Sequence, residues 1–387
     1  MAIYLDHNAT TPLHAKVFEA MRPYMTEQCA NPSSLHQSGR LQRDAIEHAR
    51  VQVAQLVDAR PEQVVFTSGG TEANNLLIKG LCSKGEIKRI AVSEIEHMSL
   101  LEPAMRVSDR CSIDYIAVNN SGLVTTDLLE QALKNYTAKD ETALVSVMSA
   151  NNETGVIQDI EALTALTSDR NIWFHTDASQ SAGKTEISFA KSGVHAMTLS
   201  AHKLYGPMGA GALIVDKRLP LQALIHGGSQ ENGLRAGTEN VAAIVGFGVA
   251  ATLAKNELEQ RADHARSLRD ALQNRLAAFE DVTIFSEKNH RLPNTLQFGV
   301  SGFDGETLLM QFDRSGIAVS SGSACTSGKA EPSHVLRAMR IPTELATSAV
   351  RVSFGKDNTM ADVDAFVDAF TKIIEIKSSP LMMAATV

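Results

Sequence analysis

Short, β-rich apolar runs alternate with helical patterns through the first two thirds of the chain. QVVFTSG is followed by TEANNLLIKGL, RIAVSEIEH by SLLEPAMRV and ALVSVMSAN by IEALTALTS; IWFHTDA and HAMTLSAHK come next. Such alternation predicts a mostly parallel sheet with crossover helices. Ala73, Leu76, Leu77, Gly80 and Leu81 fall at i, i+3, i+4, i+7 and i+8, which predicts an amphipathic helix beginning near Thr71, with Thr71 and Glu72 as its polar start. VAAIVGFGVAATLA, 241 to 254, is apolar throughout; it is too short to cross a bilayer comfortably and reads as a buried helix. The charged stretch AKNELEQRADHARSLRDALQNRLAAF reads as one long exposed helix bridging two domains. Beyond it, NTLQFGV and AVRVSFG look like strands, with helical patterns around LLMQFDRSG and DVDAFVDAFTKIIEI, so a smaller α+β domain is expected at the C-terminal end.

Composition narrows the class. With 387 residues, 44% hydrophobic and 21% charged, the chain has the make-up of an ordinary globular protein of about two domains. A formal charge of −8 offers no basic face for nucleic acid. The four cysteines, Cys29, Cys82, Cys111 and Cys325, show no C-x-x-C spacing, so neither a zinc ribbon nor a disulfide framework is expected. No metal site is expected either. A reducing cytoplasm fits this usage. MAIYLDHNATT lacks the basic-then-apolar pattern of a signal peptide, and no membrane segment is expected.

Chemistry gathers where the apolar runs end. In SAHKLYGPMGAGAL, Lys203 follows a strand-like run and is hemmed in by small residues; poor hydration lowers an amine's pKa and suits it to Schiff-base formation. A solvated lysine at a strand end is the plainer alternative. Asp177 ends the run in NIWFHTDASQ, at the edge of a parallel sheet where ligands bind, and could keep a pyridoxal phosphate ring nitrogen protonated; a turn aspartate would look the same. His175, two residues earlier, is read as pointing to the opposite face and as structural. FTSGGTEANN reads as strand, glycine turn and helix start, where free N–H groups favour a phosphate, although this is also ordinary connection geometry. His97 in EIEHMS and Asn152 in ANNETG follow apolar runs in the same way. Arg351 in SAVRVSFG should project from the face opposite Val350, Val352 and Phe354, as a fork for a carboxylate or as a surface ion pair. An amine, an acid, phosphate-binding N–H groups and a guanidinium together suit pyridoxal 5′-phosphate acting on an α-amino acid. Cys325 lies in SSGSACTSG, a small-residue tract that would leave a thiol open to sulfur chemistry.

These motifs, with NPSSLH, GLRAGTEN and EPSHVLRAM, resemble the cysteine desulfurases of the NifS/IscS type, within the class V aminotransferase superfamily of fold-type I pyridoxal phosphate enzymes. The likeness runs from YLDHNATTP to RVSFG. It implies a large cofactor-binding domain at 15–258, a small C-terminal domain at 259–387 carrying a mobile cysteine loop at 320–332, and a segment at 1–14 packing with the small domain. It further implies that Lys203 bonds the cofactor, Asp177 pairs with the ring nitrogen, Gln180 meets the ring hydroxyl and His97 stacks on the ring and moves protons. Gly70, Thr71, Ser200 and His202 would hold the phosphate, and Thr238 would reach the phosphate of the neighbouring subunit in a homodimer. Asn152 would serve the ring and, with Arg351, the carboxylate of L-cysteine. Cys325 would accept sulfur as a persulfide and pass it to an acceptor protein such as an iron–sulfur scaffold. A selenocysteine lyase or another class V enzyme is the nearest rival; a non-catalytic scaffold is disfavoured by the intact Lys203, Asp177, His97 and Cys325. Two departures stand out: Asn232 sits where many relatives have an arginine, and the chain ends in SSPLMMAATV, without the longer tail of the housekeeping members.

Overall fold

The computed structural model describes residues 2–134, 136, 142–321 and 332–378. In chain order the strands are β1 (Ile3–Tyr4), β2 (Val64–Thr67), β3 (Ile87–Ser93), β4 (Ser112–Ile116), β5 (Thr142–Ser146), β6 (Ile172–Asp177), β7 (Ala196–Ser200), β8 (Gly211–Val215), β9 (Val282–Ile284), β10 (Thr295–Val300), β11 (Ile317–Ala318) and β12 (Val350–Ser353). Seven of them form one sheet in the order β2-β8-β7-β6-β5-β3-β4. From β4 to β7 neighbouring strands are parallel, and β8 runs antiparallel to both β7 and β2. Helices cover both faces, so successive strand residues enter two separate cores. Phe66, Ala91 and Val145 join the layer under the helices Gln37–Leu56 and Val241–Asn256; Val65, Ile90 and Leu144 join the layer under Gly70–Cys82 and Met98–Arg106. Continuous apolar strands are what a sheet covered on both sides requires.

The C-terminal region is built on an antiparallel sheet, β12-β10-β9. Its core is aromatic: Phe298, Phe312, Phe366 and Phe370 are buried together, Phe312 stacking on Phe366 at 4.6 Å between ring centroids. The N-terminal segment joins the two regions. β1 pairs in parallel with β11, His7 and Asn8 donate backbone N–H groups to Ser353, and Thr11 N–H then reaches His202 O at 2.9 Å. Residues 6–11 thus cross from the small sheet to the end of β7.

Two expectations change. The charged stretch after Leu253 is not one exposed helix: its first residues finish Val241–Asn256, the chain bends by 72°, and Leu258–Leu276 buries Ala265, Leu268, Leu272 and Leu276. The stripe at i, i+3, i+7 and i+11 was masked by the charges between its members. Cys82 and Cys111, far apart in sequence, meet in the core with their sulfurs 2.8 Å apart, both as free thiols. Among the described residues no single helix is long and apolar enough to cross a membrane, and no cluster of metal-ligating side chains occurs.

Candidate active site

Lys203 closes a short 3-10 turn directly after β7. Its Nζ donates to the carbonyls of Asn8 at 2.6 Å and Ala9 at 2.7 Å, both from the N-terminal crossing segment. Burial brings its pKa down to about 8; the positive charge of Arg351 pushes the same way, and Asp177 and Asp6 oppose it. Gln180 Nε2 donates to the same Asn8 carbonyl at 3.0 Å. Behind them, Lys184 is half-buried and donates to Gln180 Oε1 at 2.8 Å and Asn8 Oδ1 at 2.9 Å. Desolvation, with the charges of Lys203 and Arg351, holds this second amine well below the usual lysine range.

Asp177 ends β6 with both oxygens accepting: Oδ1 from Ser179 N–H at 2.9 Å and Oδ2 from Asn74 Nδ2 at 2.8 Å. His97 caps the helix Met98–Arg106, its Nδ1 accepting from Ser99 N–H at 3.1 Å and lying 2.8 Å from Ser99 Oγ. The ring is otherwise open to solvent. The protein packed around its bound edge lowers its pKa; Asp177 pulls the other way, and Lys203 and His334 add to the lowering.

Arg351 lies in β12 with 3% of its surface exposed. It is not the lone polar face of an amphipathic strand, because β12 is buried on both sides. Nη2 pairs with Asp6 Oδ1 at 2.6 Å and Nη1 donates to Asn152 O at 3.0 Å, while Nε has no partner among the described residues. Arg351 therefore keeps unspent donor capacity beside Asn152. Cys325 lies outside the described residues, but the ends of its tract do not. Ser320 exchanges backbone hydrogen bonds with Arg351. On the far side, Ser333 Oγ meets Glu153 Oε2 at 2.5 Å and His334 Nε2 lies 2.9 Å from Glu96 O, next to His97. Both flanks of the tract are tied to this site.

The helix Gly70–Cys82 begins without a side-chain cap, its N-cap being Gly69 at φ 155°. A Cβ on Gly70 would lie 3.1 Å from Ser179 Oγ and 3.7 Å from Ser200 Cβ, and Ser179 Oγ is buried with no partner among the described residues. An uncapped helix start facing an orphaned hydroxyl is a cradle for an anion. His202 adjoins it, Nδ1 3.0 Å from Thr10 Oγ1; burial and the charges of Lys203 and Lys184 depress its pKa to about 4, so it is neutral. Close backbone approach shapes the turn as well: a Cβ on Gly211 would fall 2.6 Å from Gly69 Cα. Thr71 and Thr238 are exposed, and Arg235 ties the Thr238 loop to the same helix start through Glu72 at 2.9 Å.

The aminotransferase class-V family model matches residues 3–366. Cysteine desulfurase IscS of Dictyoglomus turgidum is 42% identical over 379 residues, covering 96% of this chain and 94% of that protein. Cysteine desulfurase IscS of Vibrio vulnificus is 41% identical over 383 residues, covering 97% and 93%. The chain belongs to the cysteine desulfurases of the class-V aminotransferase family. A NifS-like protein from Rickettsia africae, 35% identical, superposes with a TM-score of 0.89 over 97% of this chain and all of that one.

The donor set of this desulfurase fits pyridoxal phosphate, with an anion cradle, a carboxyl group whose two oxygens both accept hydrogen bonds and a poorly hydrated amine. Several of its contributors escaped the sequence pattern. Asn8 and Ala9 act through main-chain oxygens, which no side-chain motif reveals. Asn74 and Thr198 are both buried polar groups beside Asp177, the first in a polar helix start and the second inside an apolar run. His175 is a correction: residues two apart in a strand share a face, and its Nε2 lies 3.0 Å from Thr198 Oγ1, inside the network that holds Asp177. Asn232 adopts φ 56° beside Glu231 at φ 45°. There Glu231 is buried in a two-point pair with Arg50 at 2.7 and 2.8 Å and accepts Phe66 N–H, anchoring the loop to β2.

Proposed function

We propose that the enzyme converts L-cysteine to L-alanine with pyridoxal 5′-phosphate and carries the released sulfur as a persulfide on Cys325. The observation that supports this reading best is Lys203, an amine held near pKa 8, among Asp177, His97, Gln180 and Arg351. When bound, the cofactor supplies an electron sink for the amino acid's α-carbon. Lys203 Nζ would bond it and would move protons at the substrate's α-carbon. Asp177 would keep its ring nitrogen protonated, Gln180 would hold the ring hydroxyl and His97 would cover the ring. Gly70, Thr71, Ser200 and His202 bind the phosphate, with Thr238 of a second copy completing that site in a homodimer. Arg351 and Asn152 orient the substrate carboxylate, and Asn152 also borders the ring. Cys325 Sγ, as thiolate, then attacks the substrate sulfur: an S–S bond forms as the Cβ–S bond breaks. The bonding pair stays with the carbon skeleton, which takes up a proton and leaves as alanine.

The separate apolar core of the small sheet, which takes in Leu268, Leu272 and Leu276, supports a small domain at 259–387 beside a large one at 15–258, with the segment 1–14 bridging to the small sheet. We place the enzyme in the cytoplasm, delivering sulfur to a protein acceptor for iron–sulfur cluster assembly; its likeness to relatives named cysteine desulfurase supports the release of sulfur from cysteine. Lys203→Ala tests the cofactor assignment. The variant should lose the visible absorption of lysine-bound cofactor and form no alanine from L-cysteine; an unchanged band would refute the role of Lys203.

A further inference from the structure

We propose that Asn74 is a positioning residue for Asp177 and that, through hydrogen bonds fixed in direction by that carboxylate, it sets the tautomer of the buried His175. The side chain of Asn74 is completely buried and touches three polar partners. Nδ2 lies 2.8 Å from Asp177 Oδ2 and 2.9 Å from Ser99 Oγ, and Oδ1 lies 2.7 Å from Thr198 Oγ1. An ionised carboxylate only accepts, so the NH2 group of Asn74 must face Asp177 and the oxygen must face Thr198. Everything else follows from counting protons. Ser99 Oγ, accepting from Asn74, sends its own proton to His97 Nδ1, which already accepts Ser99 N–H. His97 therefore carries its proton on Nε2, the atom on its open side. On the other branch, Thr198 spends its proton on Asn74 and must accept from His175 Nε2–H at 3.0 Å. His175 Nδ1 is then unprotonated and accepts from Ser146 Oγ–H at 2.8 Å.

The consequence for the site is a carboxylate that cannot rotate. Asn74 and Ser179 N–H hold Asp177 from two sides, leaving its remaining lone pairs for the cofactor's ring nitrogen. This inference rests on the reading of Asp177 as that partner, but its test is independent of turnover.

Ring-15N-histidine labelling of the holoenzyme reads the tautomers directly, with signals assigned through His97→Gln and His175→Gln. At neutral pH both rings should show a protonated Nε2 and an unprotonated Nδ1. In Asn74→Leu the Thr198 hydroxyl loses its acceptor and turns to His175 Nε2, so His175 should switch to the Nδ1–H form although it does not touch residue 74. His97, still capped by Ser99 N–H, should not switch. Loss of a hydrogen bond to a charged group should also speed cofactor dissociation about tenfold. Wild-type His175 in the Nδ1–H form overturns the proposal even if the variant fails to fold. So does a folded Asn74→Leu protein with His175 unchanged. These outcomes leave the desulfurase reading standing, whereas failure of that reading would appear as missing lysine-bound cofactor with the tautomers as stated.

Discussion

A pKa of about 8 at Lys203 makes a quantitative demand on the apoenzyme. An ordinary lysine at 10.5 is neutral in about one molecule in three thousand at pH 7; at pKa 8 the fraction is about one in ten, roughly a 300-fold increase in reactive amine. The sign follows from the causes. Burial disfavours the ammonium, and the Arg351 guanidinium repels it, so both deplete the charged form; Asp177 and Asp6 work against them without prevailing. The assay is a brief pulse of formaldehyde and cyanoborohydride on apoenzyme across pH, with methylation of the Lys203 peptide quantified by mass spectrometry. Because burial slows reagent access, the informative quantity is the midpoint of the pH profile rather than the absolute rate. Lys203 should give a midpoint near 8. Arg351→Leu should move the Lys203 midpoint upward, since it removes the repelling charge and leaves Asp6 without its partner at 2.6 Å. A Lys203 midpoint at or above 10 in the wild-type protein, or no upward movement in the variant, would refute the electrostatic account of this amine.

Stability and assembly give further tests. Arg50→Met strands the buried Glu231 carboxylate and should cost about 3–5 kcal/mol in urea unfolding, whereas Arg22→Met, breaking the exposed pair with Glu19, should cost under about 1 kcal/mol; equal costs would mean that the buried pair does not anchor the loop. Co-expressed Lys203→Ala and Thr238→Ala chains should form mixed dimers with one site retaining both residues. Activity in those dimers no higher than in either parent variant would show that Thr238 serves its own chain.

What the sequence disclosed follows a physical boundary. Strand ends were legible because apolar runs stop where the strands leave the core of the sheet, and Lys203, Asp177 and His97 each stand just past or at such a stop. The helix at Gly70–Cys82 was legible because its stripe is uninterrupted. Leu258–Leu276 was misjudged because charged residues dominate its composition while four apolar residues carry its packing. The antiparallel β8 was hidden for another reason: GALIV follows a glycine-rich turn and looks like the tail of the lysine motif. Contacts between distant segments left no local mark. Nothing in DHNAT announces that the carbonyls of Asn8 and Ala9 will meet Lys203, nor that Asp6 will claim one arm of Arg351. Asn74 looked like one of two asparagines in a helix start, and only the fold shows that its amide reaches Asp177, 103 residues away.

The fate of a single sulfur atom tests the central claim most directly. Holoenzyme mixed with one equivalent of L-cysteine, without reductant, should yield alanine and one added sulfur on the Cys325 peptide in equal amounts. Cys325→Ser should retain the lysine-bound cofactor absorption and give neither. Alanine and free sulfide produced at wild-type rates by the Cys325→Ser protein, or sulfur found on Cys29 in place of Cys325, would contradict the account.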